Sequence, residues 1–414
     1  MSERKQWRLS ATAISCFKQC PYKYYLKYIK GIKRAEEPGH FRYGTNWHKI
    51  MEVISLTPGG ECLCNKKGIA VNCSICEQTG IVPADIMTAV TRVIDDAYCR
   101  VPNSVDPEDW AVERAKLLYA AAGYHWYYQN EPLKATHTEV KFRTPIPGRT
   151  GRMVPNLLVE GVIDKVVKHT GNMVVEHKTT SSSIDQTSKY WGKLTMDTQT
   201  TLYTFTLRLL RDRAELELEG DISGFYYDVL HKPGIKPKFL SIADSKKFVE
   251  SGEYCGGTFE LVIGTPNTES PKIPGGLIVG GTIAYFEATA KEGQYKIKET
   301  PDMYGHRLLA DIAERPEYYF ARRELAKTDA ELDRFHKELL GVFTTMRAMY
   351  NMDSWYHCEE QCEATYNCDF IDLCYNGIDP DGELPANLVK KVRGQKDGDT
   401  ETKSTAEATQ SSNE

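Results

Sequence analysis

The stretch LLVEGVIDKVVKHTGNMVVEHKTT, residues 157–180, decides the fold. Both halves are rich in Val and Ile, and they meet at Thr170-Gly171-Asn172, a triplet suited to a tight turn. That is the pattern of a β-hairpin. On a strand, residues two apart point to the same face, so Glu176 and Lys178 of the EHK triplet project together. The first arm presents Asp164 from GVID. Pairing of the arms brings Asp164 and Glu176 to one edge of the sheet.

Around this hairpin the chain alternates in character. THTEVKFRTPI (136–146) precedes it as a strand, and ISGFYYDVL, TFELVIG and LIVGGTIAYFEA follow as further strands. A helix is predicted over Ser10–Tyr28, with Ser10 as N-cap and a stripe of Ile14, Phe17, Tyr24, Tyr25 and Tyr28. Other helices are predicted over Gly44–Leu56, 84–99, 107–130, Asp197–Arg211 and Tyr304–Met349, the last broken near Pro316. No internal repeat is visible. Helices, then strands, then helices describe an α/β chain with a mixed core and helical flanks.

Two carboxylates converging with a lysine are what a hard divalent cation and an activated water need. The lysine can orient that water or steady the developing negative charge. Taken singly, each residue has a plainer use, because an Asp–Lys or Glu–Lys pair on a strand is usually a solvated cross-strand ion pair.

The arrangement D-x(n)-E-x-K across a hairpin resembles the signature of the PD-(D/E)XK nuclease superfamily. Upstream, YGTNWHKIME resembles the G-x-x-x-H helix of its RecB-like members. Downstream, QTTLY is similar to their Q-x-x-x-Y motif, with Gln199 and Tyr203 four apart on one helical face. The motifs occur in family order, and the resemblance spans roughly residues 9–376. It implies a restriction-endonuclease-like mixed sheet core. It also implies that His48, Asp164, Glu176 and the backbone carbonyl of His177 hold Mg²⁺ or Mn²⁺. Lys178 would be the catalytic lysine, and Gln199 and Tyr203 would face substrate. The His177 side chain is expected on the opposite face, and Glu160 is a weaker candidate behind the ligands. YYDVLHKP and ERPEYYFARREL resemble stretches of phage members; Arg315, Arg322 and Arg323 in the second either touch phosphate or form a solvated helix face.

Twelve cysteines are many for a reducing compartment, where clustered thiolates more often bind metal than pair as disulfides. Iron–sulfur relatives, including AddB-type and CRISPR-adaptation nucleases, hold a [4Fe–4S] cluster with one N-terminal and three C-terminal cysteines. The resemblance implies Cys20, Cys362, Cys368 and Cys374 here. Cys358 is an alternative to Cys362, Cys16 to Cys20, and zinc to the cluster. Between the ends, Cys62, Cys64, Cys73 and Cys76 form two close pairs among glycines. CSICEQTG resembles the C-x-x-C-x-G-x-G knuckle of chaperone-type zinc modules, with Gln78 in place of the first glycine. The reading is structural Zn²⁺, with a disordered loop as the alternative. Cys99 and Cys255 read as ordinary buried or partly buried thiols.

These readings divide the chain into an N-terminal helical part with the first cluster cysteine (1–56), a zinc-binding-like insertion (57–82), a helical segment (83–135), a nuclease core (136–300), C-terminal helices with the cluster cysteines (301–380) and a disordered tail (391–414). The net charge of −5 hides a basic start, since residues 1–50 hold eleven Lys/Arg against three Glu. No run reaches the length of a membrane helix and no secretory signal is apparent, so no membrane is expected. The address expected is cytoplasmic, the host cytoplasm if the chain is viral.

The function expected is a DNA exonuclease of recombination, repair or replication, with single-stranded DNA favoured and a phage origin. The alternatives are a structure-specific or duplex-end nuclease and a non-catalytic DNA-binding assembly factor. No Walker A pattern occurs, so a helicase or recombination partner would be a separate chain. The oligomeric state stays open.

Overall fold

The computed structural model describes residues 5–35, 39–67, 73–133, 135–169, 171–263, 277–284, 286–288, 294–364 and 367–391. The expected tail from Val392 onward lies outside them, as do Thr170 of the turn and Gly68 of the insertion. Gly264 and Tyr285 of two expected strands also lie outside. The chain divides into two compact units. One comprises Met1–Pro38, Pro145–Glu160 and Asp333–Glu414, the other Gly39–Thr144 and Gly161–Leu332.

The principal strands are β1 (Trp7–Leu9), β2 (Ala135–Pro147), β3 (Met153–Lys168), β4 (Asn172–Thr180), β5 (Ile222–His231) and β6 (Phe320–Ala326). In the larger unit, β3 turns back onto β4 with Lys165 opposite Val175 and Lys168 opposite Asn172. Asp164 and Glu176 each stand one residue beyond the Lys165–Val175 pair. β4 then runs parallel to β5, and β5 antiparallel to β6. Mixed pairing leaves β4 central, and its residues Asn172–His177 are all buried, as a strand covered on both faces requires. A bulge beside Asn172 and Met173 skips Ser223 and brings Gly224 against Leu325 and Ala326. Gly224 has φ 152°, and any side chain there would strike the Leu325 carbonyl, so glycine is required.

The helices that matter for the site are α1 (Ala11–Gln19), α2 (Gly39–Ile54), α3 (Pro107–Tyr127), α4 (Thr198–Asp212) and α5 (Pro301–Glu314). In the larger unit α2, α3 and α5 share a core around Trp47, Ile50, Leu117, Tyr124 and Leu308. α4 begins at Asp197, whose carboxylate accepts from Thr200 N at 2.9 Å.

In the smaller unit β1 lies parallel to the first half of β3, Trp7 opposite Leu157. The strand Ile32–Arg34 pairs antiparallel with Leu388–Lys390 over a core of Leu26, Ile32, Phe370, Leu373 and Leu388. No helix among the described residues is long and apolar enough to cross a membrane.

Two expected helices are corrected. Ser10 does cap α1, accepting from Ala13 N at 3.2 Å, but the helix stops at Cys20, which is extended at φ −159°. Pro21 excludes its predecessor from helical geometry, and the chain restarts as short turns over Pro21–Tyr24 and Tyr25–Ile29. The Tyr304–Met349 helix is interrupted by β6, which pairs with β5 from Phe320 to Ala326. Arg322 and Arg323 therefore stand on a strand. The helix Ile242–Ser251 was not foreseen, although Ser241 followed by Asp244 carries its capping signal.

Candidate active site

Three elements of the larger unit converge on Asp164 and Glu176. α2 brings His48, whose Nδ1 lies 3.1 Å from Asp164 Oδ2. β4 brings Glu176 and Lys178, and α4 brings Gln199 and Tyr203 from one face. Lys178 Nζ donates to Glu176 Oε1 at 2.9 Å and to Gln199 Oε1 at 2.8 Å. Gln199 Nε2 donates to the same Glu176 oxygen at 2.8 Å and lies 3.4 Å from the Tyr203 hydroxyl. Glu176, 1% exposed, is thus gripped by one oxygen, while its Oε2 is buried with no hydrogen-bond partner among the described residues. One ligand atom each from His48, Asp164 and Glu176 lie within 4.8 Å of one another.

The electrostatics follow from burial and these partners. Burial pushes the Glu176 carboxyl up, and the nearby Lys178 charge only partly offsets it. Burial also acts to raise Asp164, but its hydrogen bond and charge contact with His48 bring it below the usual carboxylate range. Burial would neutralise Lys178, yet Glu176 and Asp197 hold it above its ordinary value and keep it cationic.

An orphaned oxygen on a buried carboxylate, beside a second carboxylate and an imidazole, is a donor set that fits a hard divalent cation. Tyr203 is held from behind. A Cβ on Gly161 would lie 2.7 Å from Phe142 Cζ and 3.0 Å from Tyr203 Cε1, so the missing side chain makes room for both rings. Glu160 falls in the other unit.

On the far side of β4 is a group the sequence reading missed. His177 faces Asp228 of β5, with Nδ1 3.1 Å from Oδ2 but off the hydrogen-bonding direction. Tyr124 of α3 donates to Asp228 Oδ2, and Arg322 Nη2 donates to the Tyr124 hydroxyl at 2.9 Å. The Arg322 guanidinium lies 3.4 Å over the Tyr128 ring. Arg322 thus stands on a strand with its side chain largely buried, not on a solvated helix face. Arg315 pairs with Asp311 at 2.8 Å, and Arg323 lies 5.3 Å from the Trp191 ring. A lone Asp in a strand was the only signal for this network.

The cysteines form two groups, one in each unit. In the larger unit, Cys62 Sγ is 3.7 Å from Cys73 Sγ and Cys64 Sγ is 3.5 Å from Cys76 Sγ. All four sulfurs lie within 4.8 Å of one another. Backbone bonds Cys62 N to Gly80 O and Val82 N to Gly60 O, at 2.8 and 2.9 Å, close the loop around them. Gln78, where the zinc knuckle has glycine, takes φ 71°. Contact with Cys64 and Gly80 outweighs burial and lowers the Cys76 thiol to about 7, while burial and its neighbours raise Cys64 to about 12. In the smaller unit, Cys20, Cys358, Cys362, Cys368 and Cys374 line one cavity with Lys23 and Phe370. Cys20 Sγ also caps the following turn, accepting from Lys23 N at 3.4 Å. Cys16, buried, does not line this cavity. Cys99 and Cys255, expected buried or partly buried, are both exposed.

Comparison with curated proteins finds no match. The profile of one family does match, over residues 8–375, which takes in the hairpin, α2, α4 and the C-terminal cysteines. With that span and a mixed sheet carrying these carboxylates on adjacent strands, the chain belongs to the PD-(D/E)XK nuclease superfamily.

Proposed function

We propose that the protein is a metal-dependent DNA exonuclease of the RecB-like, iron–sulfur type, using Mg²⁺ or Mn²⁺ and acting on single-stranded DNA in recombination, repair or replication. The observation that carries it is the convergence of His48, Asp164 and Glu176 on one point while Gln199 and Glu176 hold Lys178 beside it. The three side chains and the His177 carbonyl would hold the cation. When bound, it supplies a Lewis acid for a phosphoryl oxygen and lowers the pKa of its water. Lys178, kept cationic, orients that water or meets charge developing on the phosphate. Gln199 fixes both Lys178 and Glu176, and Tyr203 backs Gln199.

Support for a single strand comes from the smaller unit. Tyr22, Tyr25, Trp355 and His357 form a run of contacting rings, tilted or stacked, with Lys23, Lys27 and Lys30 close in sequence, the composition of a base-stacking platform.

For the cysteines, we assign zinc to Cys62, Cys64, Cys73 and Cys76. Zn–S bonds of about 2.3 Å put tetrahedral sulfurs about 3.8 Å apart, and the pairs at 3.7 and 3.5 Å fit that spacing. We assign a [4Fe–4S] cluster to Cys20, Cys362, Cys368 and Cys374, which share a cavity without the close sulfur contacts of a single-ion site. A cluster spaces its thiolates farther apart than one ion does. The setting proposed is cytoplasmic, with any helicase or recombination partner a separate chain.

The test follows end-label release from single- and double-stranded DNA, anaerobically, with Mg²⁺ or Mn²⁺. Release by wild type and its loss in Asp164→Ala is expected. A folded, metal-loaded wild type that binds DNA and cleaves none would replace this reading with a DNA-binding assembly factor.

A further inference from the structure

β3 sends two neighbours to opposite faces, Asp164 toward the candidate site and Lys165 away from it. Lys165 stands opposite Val175 of β4, on the rear face that His177 and Asp228 share. It is 5% exposed. No carboxylate lies within ion-pair distance of its ammonium among the described residues. Asp228 and Asp164 act on it from farther away, and Arg322 opposes them. A buried ammonium so placed costs stability, whereas an apolar side chain of similar length would not.

What the ammonium does hold is the helix that carries His48. Lys165 Nζ donates to the Oγ of Ser55, the first residue after α2. Ser55 Oγ in turn donates to the Met51 carbonyl at 2.6 Å. The charge thus sits at the C-terminal end of α2, where the helix dipole favours a cation.

α2 therefore meets β3 through two consecutive strand residues. His48 Nδ1 lies 3.1 Å from Asp164 Oδ2, and Ser55 receives Lys165. His48 and Ser55 are seven residues apart, close to two helical turns, so both attachments leave one side of the helix. A helix held at His48 alone could pivot about that contact. The second attachment fixes its direction, and with it the angle at which the imidazole meets Asp164.

We propose that Lys165 is a positioning residue of the metal site, which through Ser55 fixes α2 against β3 and so holds His48 on Asp164. The proposal rests on the reading of His48, Asp164 and Glu176 as ligands of a divalent cation.

The experiment titrates the full chain, purified anaerobically into Mg²⁺-free buffer, with Mn²⁺ and follows the metal's paramagnetic signal. Wild type is compared with Lys165→Met, Ser55→Ala, Ser55→Thr and Asp164→Ala. Lys165→Met is expected to weaken Mn²⁺ binding about tenfold, as for other groups that orient metal ligands. Its melting temperature should hold or rise. Ser55→Ala should weaken Mn²⁺ binding about threefold, and Ser55→Thr, which keeps the hydroxyl, should bind like wild type. Loss of cleavage in Lys165→Met should fall on kcat and leave KM for a single-stranded oligonucleotide unchanged, because the lysine faces away from the candidate site.

A lysine that only supports the fold would give the reverse, a lower melting temperature with unchanged Mn²⁺ affinity, and that result overturns the proposal. Should Lys165→Met fail to fold, the Ser55 variants decide, and equal Mn²⁺ affinity in Ser55→Ala and wild type overturns it. Hydrogen exchange of the α2 amides, read without Mn²⁺, should quicken in Lys165→Met and Ser55→Ala. If Asp164→Ala binds Mn²⁺ as tightly as wild type, the carboxylates hold no metal and the nuclease reading falls, whatever the exchange shows. If Asp164→Ala loses Mn²⁺ while Lys165→Met and Ser55→Ala bind and exchange like wild type, the nuclease reading stands and the positioning role alone is refuted.

Discussion

His177 and Asp228 face each other across β4 and β5, with Nδ1 3.1 Å from Oδ2 and both residues 2% exposed. The same strand turns Glu176 and Lys178 to the opposite face, so the middle residue of the EHK triplet packs behind the candidate site. Asp228 meets it inside a closed polar group. Burial pushes its carboxyl up, and His177, Arg322 and Tyr124 together bring it below the usual carboxylate range.

Asp228→Asn is therefore expected to be costly, because it leaves the Arg322 guanidinium buried without its counter-charge. Losing one partner of a buried pair costs about 3–5 kcal/mol. Urea unfolding should show that loss, and Asp228→Leu/Arg322→Met should recover part of it by removing both charges. A single variant within about 1 kcal/mol of wild type would mean that Arg322 reaches water.

Gln199 bridges Glu176 and Lys178, since its amide donates to Glu176 and its carbonyl accepts from Lys178. Gln199→Ala frees both at once. Activity is expected to fall about 10- to 100-fold, as for other residues that orient metal ligands. Mn²⁺ affinity, read by the metal's paramagnetic signal, should fall with it. Lys178→Ala should remove cleavage and leave Mn²⁺ affinity within about threefold, because ammonium groups do not ligate metal. Equal loss of Mn²⁺ binding in both variants would show that Lys178 serves only to hold Glu176.

What could be read from the chain, and what could not, follows from the range of each interaction. The strand pattern around Asp164 and Glu176 is local, and a register is fixed by which face is buried, so the hairpin and its two carboxylates were visible before any coordinates. β6 was not. EYYFARREL contains good helix formers, and only pairing with β5 makes it a strand. The same pairing buries Arg322, whose partners Tyr124 and Asp228 lie far away in sequence. The stop at Cys20 was legible in Pro21 but hidden by the continuing aromatic stripe. Lys116, Lys232 and Lys236, which line one cleft, meet only after folding, since α3 supplies one and the segment after β5 the others.

Gly161 tests how tightly the substrate side is set. Its backbone lies against Phe142 and Tyr203, whose rings meet edge to face at 5.8 Å. Gly161→Ala must move one of them, at about 1–3 kcal/mol for overpacking. The expected result is a lower melting temperature together with a reduced kcat, because Tyr203 backs Gln199. Phe142→Leu in the same chain should restore both by yielding space. A variant that melts like wild type would show that the rings shift without cost.

Five cysteines line the terminal cavity where the proposed cluster needs four. The Cys374 thiol is raised to about 12 by burial and then by Cys368, Cys362 and Cys20. Cys358 is raised by burial and by Cys20, together with Glu359 and Glu360. In the proposed assignment Cys20, Cys362, Cys368 and Cys374 hold the cluster, and Cys358, flanked by Glu359 and Glu360, stays outside it. Serine replacements, purified anaerobically, should divide the same way. Cys20→Ser, Cys362→Ser, Cys368→Ser and Cys374→Ser are expected to abolish the broad visible absorbance of the cluster and to lower the melting temperature. Cys358→Ser should keep both. Metal analysis of wild type should return about four iron and one zinc per chain. Two zinc and no iron would put zinc in both cysteine groups, and a colourless Cys358→Ser beside a coloured Cys362→Ser would exchange those two ligands.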